Sequence, residues 1–289
     1  MTLEFILGIL QIVLIATTPL VFAGIGELVT EKSGVLNLGV EGMMLVGAVT
    51  AFIILVITGS YFLAFFVSIL SGIIMSGLFA FLVLNLMSNQ IATGLALTIF
   101  GIGLSSMLGK QYIGTPIDGL SPWFFVIFSF VIVFLVSYFF YKTKAGLILR
   151  SVGESHNSAH ALGYSVIKIR YLSILFGGSM CALAGSYISI CYAPMWQEGM
   201  TAGRGWIALA LVVFATWKPE RVLIGAYIFG GVTILQMNLQ ALGLRFPGQF
   251  FSMAPYVATI IVLVLISSNK LRIKLSAPAS LTIPFYKGR

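Results

Sequence analysis

The chain has 289 residues, 59% of them hydrophobic and only 8% charged, with a mean hydropathy of +1.07. A soluble domain carries about 25% charged residues, whereas apolar runs of roughly 20 residues cross a hydrocarbon core about 30 Å thick, so the composition predicts an all-α polytopic membrane protein and excludes a soluble enzyme. Outer-membrane barrels need alternating ten-residue blocks, which are absent, and the net charge of +8 does not point to nucleic acid, because its basic residues sit in loops between apolar runs.

Met1-Thr2-Leu3-Glu4 lacks the basic start of a signal peptide, so the first apolar run, Phe5–Ile25, reads as a retained helix. Next comes a stretch that packs three of the eight acidic residues, Glu27, Glu31 and Glu41, into fifteen positions between two apolar runs. Charge this close to membrane-length helices is costly unless it lies in water, at a helix end or in a cavity. Asn37 reads as an N-cap, with Glu41 in the first helical turn, where the positive dipole end favours a carboxylate.

Further spans are predicted at Leu38–Ile57, Tyr61–Leu86, Asn89–Leu108, Pro122–Tyr141, Tyr171–Tyr192, Gly205–Trp217, Val222–Leu242 and Phe251–Ser267, about nine segments with a range of eight to ten. Gly205–Trp217 is too short to cross at about 1.5 Å per residue and reads as a half-helix, a re-entrant segment or part of a broken helix. Within Asn89–Leu108, the residues Gln90, Gly94, Thr98, Gly101 and Ser105 share one helical face. Such a stripe either admits a second helix closely or lines a wet path. The longest polar interval, Lys142–Arg170, holds a short helix capped by Ser155 or Asn157 and ended by Gly163.

No catalytic constellation assembles. His156 and His160 lie four apart beside Glu154 but lack a third strong ligand, so neither a metal nor another cofactor is expected. The run Gly103–Gln111 only glances at a phosphate loop, so the chain is expected to lack an ATPase site of its own. Cys181 and Cys191 are ten residues apart, about 15 Å of helical rise, beyond disulfide reach.

Basic residues set the orientation. With the N-terminus outside, the inner side holds Lys32, Lys142, Lys144, Arg150, Lys168, Arg170, Lys218, Arg221, Lys270, Arg272, Lys274, Lys287 and Arg289, and the outer side only Lys110, Arg204 and Arg245. That asymmetry places the C-terminus in the cytoplasm. Trp123 and Trp196 fall near outer ends and Trp217 near an inner one, as in aromatic belts.

The run from Glu27 to Ala48, with Glu31-Lys32-Ser33-Gly34-Val35-Leu36-Asn37-Leu38-Gly39-Val40-Glu41-Gly42-Met43-Met44 at its centre, closely resembles the signature of ABC-importer membrane permeases of the branched-chain amino acid and simple-sugar type, nucleoside branch. Two more stretches resemble that family: Gly146 and Arg150 with Val152-Gly153-Glu154, Ala159 and Gly163; and Thr201-Ala202-Gly203-Arg204-Gly205-Trp206-Ile207-Ala208-Leu209-Ala210. The tail Ala277–Tyr286 is similar to the branch's ending. After Glu154 the chain departs from the family's Asn-Pro with Ser155-His156.

The resemblance implies one permease domain over residues 1–289, with a cytoplasmic coupling loop at 142–170 and a cytoplasmic tail at 269–289. It implies a multi-pass protein of a prokaryotic cell membrane that moves a nucleoside or related sugar-like solute. Its implied partners are an ABC ATPase, a second permease subunit forming a heterodimer, and an extracytoplasmic substrate-binding protein. Arg150, Gly153, Glu154, Ala159 and Gly163 would couple to the ATPase. Asn37, Glu41, Gln90, Thr98, Arg204 and Trp206 would border the solute path. On physics alone three rivals stay open: an ion-coupled carrier, an intramembrane enzyme and a structural anchor. The acids at span ends, the missing catalytic set and the number of spans speak against each in turn.

The charge asymmetry makes a direct prediction. A cysteine placed at Ser155 should be labelled by an impermeant reagent only from the cytoplasmic side, and one at Asp118 only from outside; labelling of both from one face would overturn the orientation.

Overall fold

The computed structural model describes residues 3–241 and 277–286, together with Met253, Val257, Ile260 and Val264. Apart from those single positions, the span expected at Phe251–Ser267 lies outside the described residues, as do Arg245, Lys270, Arg272, Lys274, Lys287 and Arg289 of the charge count. The described chain is helical: α1 (Leu3–Lys32), α2 (Val40–Thr58), α3 (Tyr61–Ala80), α4 (Gln90–Gly109), α5 (Trp123–Lys142), α6 (Lys144–Glu154), α7 (His156–Ala161), α8 (Val166–Tyr187), α9 (Arg204–Phe214) and α10 (Pro219–Ala241). π-helical turns extend α3 through Phe81–Asn85 and α8 through Ile188–Tyr192. The only β pairing among the described residues is two isolated bridges, Ile113 with Trp196 and Pro116 with Met195.

Among the described residues, six helical segments are long and apolar enough to cross a membrane: Leu7–Lys32, Val40–Thr58, Tyr61–Asn85, Gln90–Tyr112, Trp123–Lys142 and Val166–Tyr192. The apolar helix α9 is short, as its length in the sequence required. Two bounds differ from expectation for a physical reason. α1 runs on from Ile25 to Lys32 because Glu27 and Glu31 are buried among other helices and do not mark a solvated turn. α8 begins at Val166 because Arg170 is likewise fully buried.

The bundle is organised around α8, where every residue from Gly177 to Ile190 is buried. Lipid tails are as apolar as leucine, so membrane helices gain little from hydrophobicity alone and associate through close backbone approach at small residues. α8 supplies Gly177, Gly178, Cys181, Ala182, Ala184, Gly185 and Ser186, and α1, α2 and α3 answer with glycines of their own. A Cβ added at Gly26 of α1 would lie 2.9 Å from the Gly177 carbonyl oxygen, and one at Gly47 of α2 only 2.5 Å from the Ala182 Cα. Ser68 of α3 ties the three together, its hydroxyl lying 2.9 Å from the Gly47 carbonyl oxygen and 3.2 Å from that of Ala182.

α5 shows the complementary pattern. Phe125, Ser129, Ile132, Val136 and Phe140 are buried, whereas Phe124, Ile127, Phe134, Leu135 and Tyr138 are exposed. Both faces are apolar because one meets protein and the other lipid. Trp123 is exposed, as an interfacial aromatic would be. Trp196 and Trp217 are not belt residues. Trp196 is fully buried with Ala48, Val49 and Phe52, and Trp217 is buried near the Lys32 end of α1.

The small-residue face of α4 packs against α2 and the loop before it. Gly94 abuts Leu38, and a Cβ at Gly101 would lie 2.6 Å from the Gly42 Cα, whereas Gly103 meets nothing within 4 Å. Replacing Gly101 with Leu should therefore separate α2 from α4 and cut the yield of monodisperse protein in detergent. Gly103→Leu should express like the parent, and equal yields for the two variants would contradict this packing.

Candidate functional site

The loop between α1 and α2 is irregular backbone lying against a membrane-length helix. At membrane depth its N–H and C=O groups need protein partners. Side chains from three elements supply them. The Leu36 N–H donates to Gln90 Oε1 at 2.9 Å, and the Asn37 N–H to Glu27 Oε1 at 3.0 Å. Thr98 Oγ1 donates to the Leu38 carbonyl at 2.8 Å, and the Gly39 N–H to Asn37 Oδ1 at 2.9 Å. Asn37 is therefore not the N-cap of α2; Gly39 holds that position without a side-chain cap, and Asn37 instead closes a local turn. Gln90, Thr98 and Asn37 are all buried, each with its side-chain oxygen bonded to the chain's own backbone.

Glu41 reaches a second irregular segment. The chain before α9 carries positive φ at Gly199, Ala202 and Gly203, a turn that leaves the first amides of α9 without intrahelical acceptors. Glu41 Oε1 accepts from Thr201 Oγ1 at 2.6 Å and from the Gly203 N–H at 2.8 Å, and Oε2 accepts from the Gly205 N–H at 2.6 Å. A carboxylate held by backbone amides at the positive end of a helix is favoured by hydrogen bonding and by the dipole together. Gly205 is required there, since a Cβ would lie 2.6 Å from the Glu41 Cα.

The far end of α9 is held by another acid of the same stretch. Thr216 and Trp217 adopt left-handed backbone, φ +49° and +53°, and the Trp217 indole donates to Glu31 Oε2 at 2.5 Å. Arg221 braces the turn by donating to Thr216 Oγ1 at 2.6 Å. The short helix α9 is thus clamped at its start by Glu41 and just beyond its end by Glu31. Arg204 and Trp206, in its first turn, retain exposed surface. The Arg204 guanidinium lies 5.0 Å from the Tyr192 ring centroid and donates to the Met200 carbonyl at 3.3 Å, and Trp206 is 36% exposed.

The residues expected to couple form two helices, α6 and α7, in place of one. Ser155 caps α7, accepting from the Ser158 N–H at 3.3 Å, and Gly163 takes the left-handed conformation at φ +88°. Gly153 is buried against the Lys32 end of α1, and its carbonyl accepts from the Ser280 N–H at 2.8 Å. Ala159 faces inward, packed with Val152, Val166 and Phe285. The imidazole of His156 stacks edge-on against Phe285, and burial, with the Arg170 charge behind it, holds His156 below its ordinary pKa. Arg150 lies 5.4 Å from the Tyr141 ring centroid, and Arg150, Glu154 and Ala159 line a cavity of about 580 Å³ with Lys32, Trp217 and Lys218. Outward, α7 and the turn after it present His160, Leu162 and Tyr164, with Leu162 75% exposed.

Sequence reasoning missed Glu27, Glu31, Trp217 and Arg170. Arg170 is fully buried, its Nε donating to the Ser33 carbonyl and its Nη1 to the Ile283 carbonyl, both at 3.1 Å. The available signal was four polar or charged residues close to apolar runs, where a buried partner is the usual explanation.

Because three charge-assisted hydrogen bonds converge on Glu41, Glu41→Ala should lower the stability of the detergent-solubilised protein by about 3 kcal/mol or more, and Glu41→Gln by about half as much. Thermal unfolding measures both. Unchanged melting of the alanine variant would mean that this contact does not hold α9.

Comparison with known proteins places this architecture. The family model described as "branched-chain amino acid transport system / permease component" matches residues 9–267. A Haloferax volcanii ABC transporter permease protein, provisionally named for glucose, is 37% identical, covering 96% of this chain and 97% of its own length. The nucleoside ABC transporter permease protein NupC of Lactococcus lactis is 31% identical over 87% of this chain and 90% of its own, and the guanosine ABC transporter permease protein NupQ of Bacillus subtilis 27% identical over 98% and 99%. No solved structure matches. With the family model covering most of the chain and a relative above 30% identity along nearly all of it, this protein belongs to the permease-component family of the branched-chain amino acid transport systems.

Proposed function

We propose that the chain is the permease subunit of an ATP-driven ABC importer and borders the translocation path for a nucleoside or a related sugar-like solute. The observation that carries this reading is α9, a short apolar helix whose start is clamped by Glu41 while Arg204 and Trp206 keep exposed surface beside it. Broken helices of this kind flank the solute path in many transporters. Trp206 offers a face on which a base or sugar ring can stack, and Arg204 offers hydrogen-bond donors to ring oxygens and hydroxyls. Names of the relatives, for nucleosides, guanosine and glucose, agree with such uncharged ring solutes. Gln90, Thr98, Asn37 and Glu41 form the wall behind that path, fixing its backbone.

In this reading the N-terminus is outside and the Lys32 end of α1 faces the cytoplasm. A second, related permease chain completes the path as a heterodimer, and an extracytoplasmic binding protein delivers the solute. ATP is hydrolysed by a separate ABC ATPase, which docks on the Arg150–Gly163 segment. Ala159 and Gly153 hold that segment to the bundle from within, Gly163 turns the chain at its edge, and Leu162 with Tyr164 is the surface left to meet the ATPase. Arg150 and Glu154 stand beside it at the cavity mouth.

Coexpression with the ATPase and binding protein encoded alongside, followed by copurification and uptake of labelled guanosine and glucose into vesicles, tests the assignment. Within that assay, Leu162→Arg should reduce ATPase copurification at least roughly tenfold, since an unpaired charge buried in a contact costs several kcal/mol, while membrane insertion is unaffected. Full copurification and uptake by this variant would place the contact elsewhere.

A further inference from the structure

α1 is continuous from Leu3 to Lys32 although Pro19 lies within it. Proline has no amide hydrogen, so the Ile15 carbonyl four residues earlier loses its intrahelical donor. Inside a bilayer that carbonyl needs another partner. It finds one across the bundle: the phenol of Tyr187, fully buried on α8, donates to the Ile15 carbonyl at 2.9 Å. The same turn carries two back-bonded threonines. Thr17 Oγ1 lies 2.8 Å from the Val13 carbonyl oxygen, and Thr18 Oγ1 2.9 Å from that of Leu14, an arrangement that bends helices.

Burial changes at the same turn. Every residue of α1 from Ala16 to Glu31 is buried, whereas all those from Leu7 to Ile15 are exposed or half-exposed. Thr17 sits close against α10, where a Cβ at Gly230 would lie 3.3 Å from the Thr17 Cβ. The inner limb is thus fixed by its neighbours, and among the described residues the outer limb is held chiefly at the turn where the helix lacks a hydrogen bond. Just beyond Tyr187, α8 passes into its own π-helical turn, a feature common at functional sites.

We infer that α1 bends at Pro19 during transport, its outer limb swinging against a fixed inner limb, and that Tyr187 is the positioning residue that latches one of the two bends. This rests on the permease reading for the word transport, but not for the hinge itself. When the Tyr187 hydroxyl leaves, the Ile15 carbonyl is free to tilt toward another partner, and the helix straightens or bends further without breaking any intrahelical bond.

The test uses the full chain in liposomes, with Cys181 and Cys191 replaced by alanine and spin labels on cysteines at Gln11 and Ile57, both exposed. Tyr187→Phe should broaden the label-to-label distance distribution and lower the melting temperature by about 3 °C. Pro19→Ala restores an amide to Ile15, so it should narrow the distribution, and the double variant should recover the lost melting temperature. A latch with no role in motion predicts that Pro19→Ala is stabler and equally active. A working hinge predicts that ATP hydrolysis by the copurified Pro19→Ala complex falls at least roughly fivefold. Distances insensitive to both substitutions, or wild-type turnover in Pro19→Ala, would overturn the inference. The distance and melting measurements need no ATPase, so a failure of the wild-type chain to copurify one counts against the proposed function and leaves the hinge result standing.

Discussion

Backbone that leaves helical geometry inside a bilayer must find a partner for each N–H and C=O, because no water is there to supply one. Burial by protein imposes the same need on the loop between α1 and α2 and on the amides at the start of α9. Gln90, Thr98, Asn37 and Glu27 serve the first, and Glu41, itself bonded by the Thr201 hydroxyl, serves the second. Polar side chains that look from composition like solute ligands are thus occupied by the protein's own main chain. A charged solute would have to displace them from good geometry, and an uncharged one need not compete with them at all.

The same economy governs how the helices meet. α8 with its π-helical turn is buried over fourteen consecutive residues, Gly177 to Ile190, and eight of these are glycine, alanine or serine. Larger side chains there would hold α1, α2 and α3 apart and forbid Ser68 its two carbonyl contacts. Close approach sets the distances from which Glu41 can reach α9 and Glu31 can reach Trp217. The small residues set the helix spacing, and the polar network is available only because of them.

Much of this was legible in the sequence, and the limits are physical. Long apolar helices announce themselves by length, and the stripe from Gln90 to Ser105 by its period, so the face α4 buries was readable. The turn at Gly163 was readable because only local geometry demands it. What the stripe buries against was not, since a packing face and a wet wall have the same composition. Asn37 reads as an N-cap from its neighbours alone, and the loop bends otherwise because Glu27 and Gln90 compete for its backbone from distant positions. Trp217 looks like an interfacial aromatic until Glu31, far earlier in the chain, is seen to accept from it. Arg170 reads as an inner-loop charge until the Ile283 and Ser33 carbonyls converge on its guanidinium. Local signals end where partners are remote.

These remote contacts join into one mechanical unit at the Lys32 end of α1. Gly153 of α6 lies against that end, with its carbonyl bonded to Ser280 of the tail, and the hydroxyl of Ser280 accepts from the His156 N–H at 3.3 Å. Phe285 sits between the rings of His156 and His160 on α7, at 5.5 and 5.2 Å. Arg170 ties the same tail to the start of the α1–α2 loop, where Gly34, at φ +90°, leaves room for the guanidinium. The tail is therefore a strap across α6, α7, α8 and the loop. The contacts of α7 thus continue through the tail and α6 to the end of α1 that carries Glu31, and through Trp217 to α9, by side-chain, backbone and ring contacts in turn. The element nearest the proposed solute path is then the far end of the unit on which the proposed ATPase contact bears, with no separate linkage required.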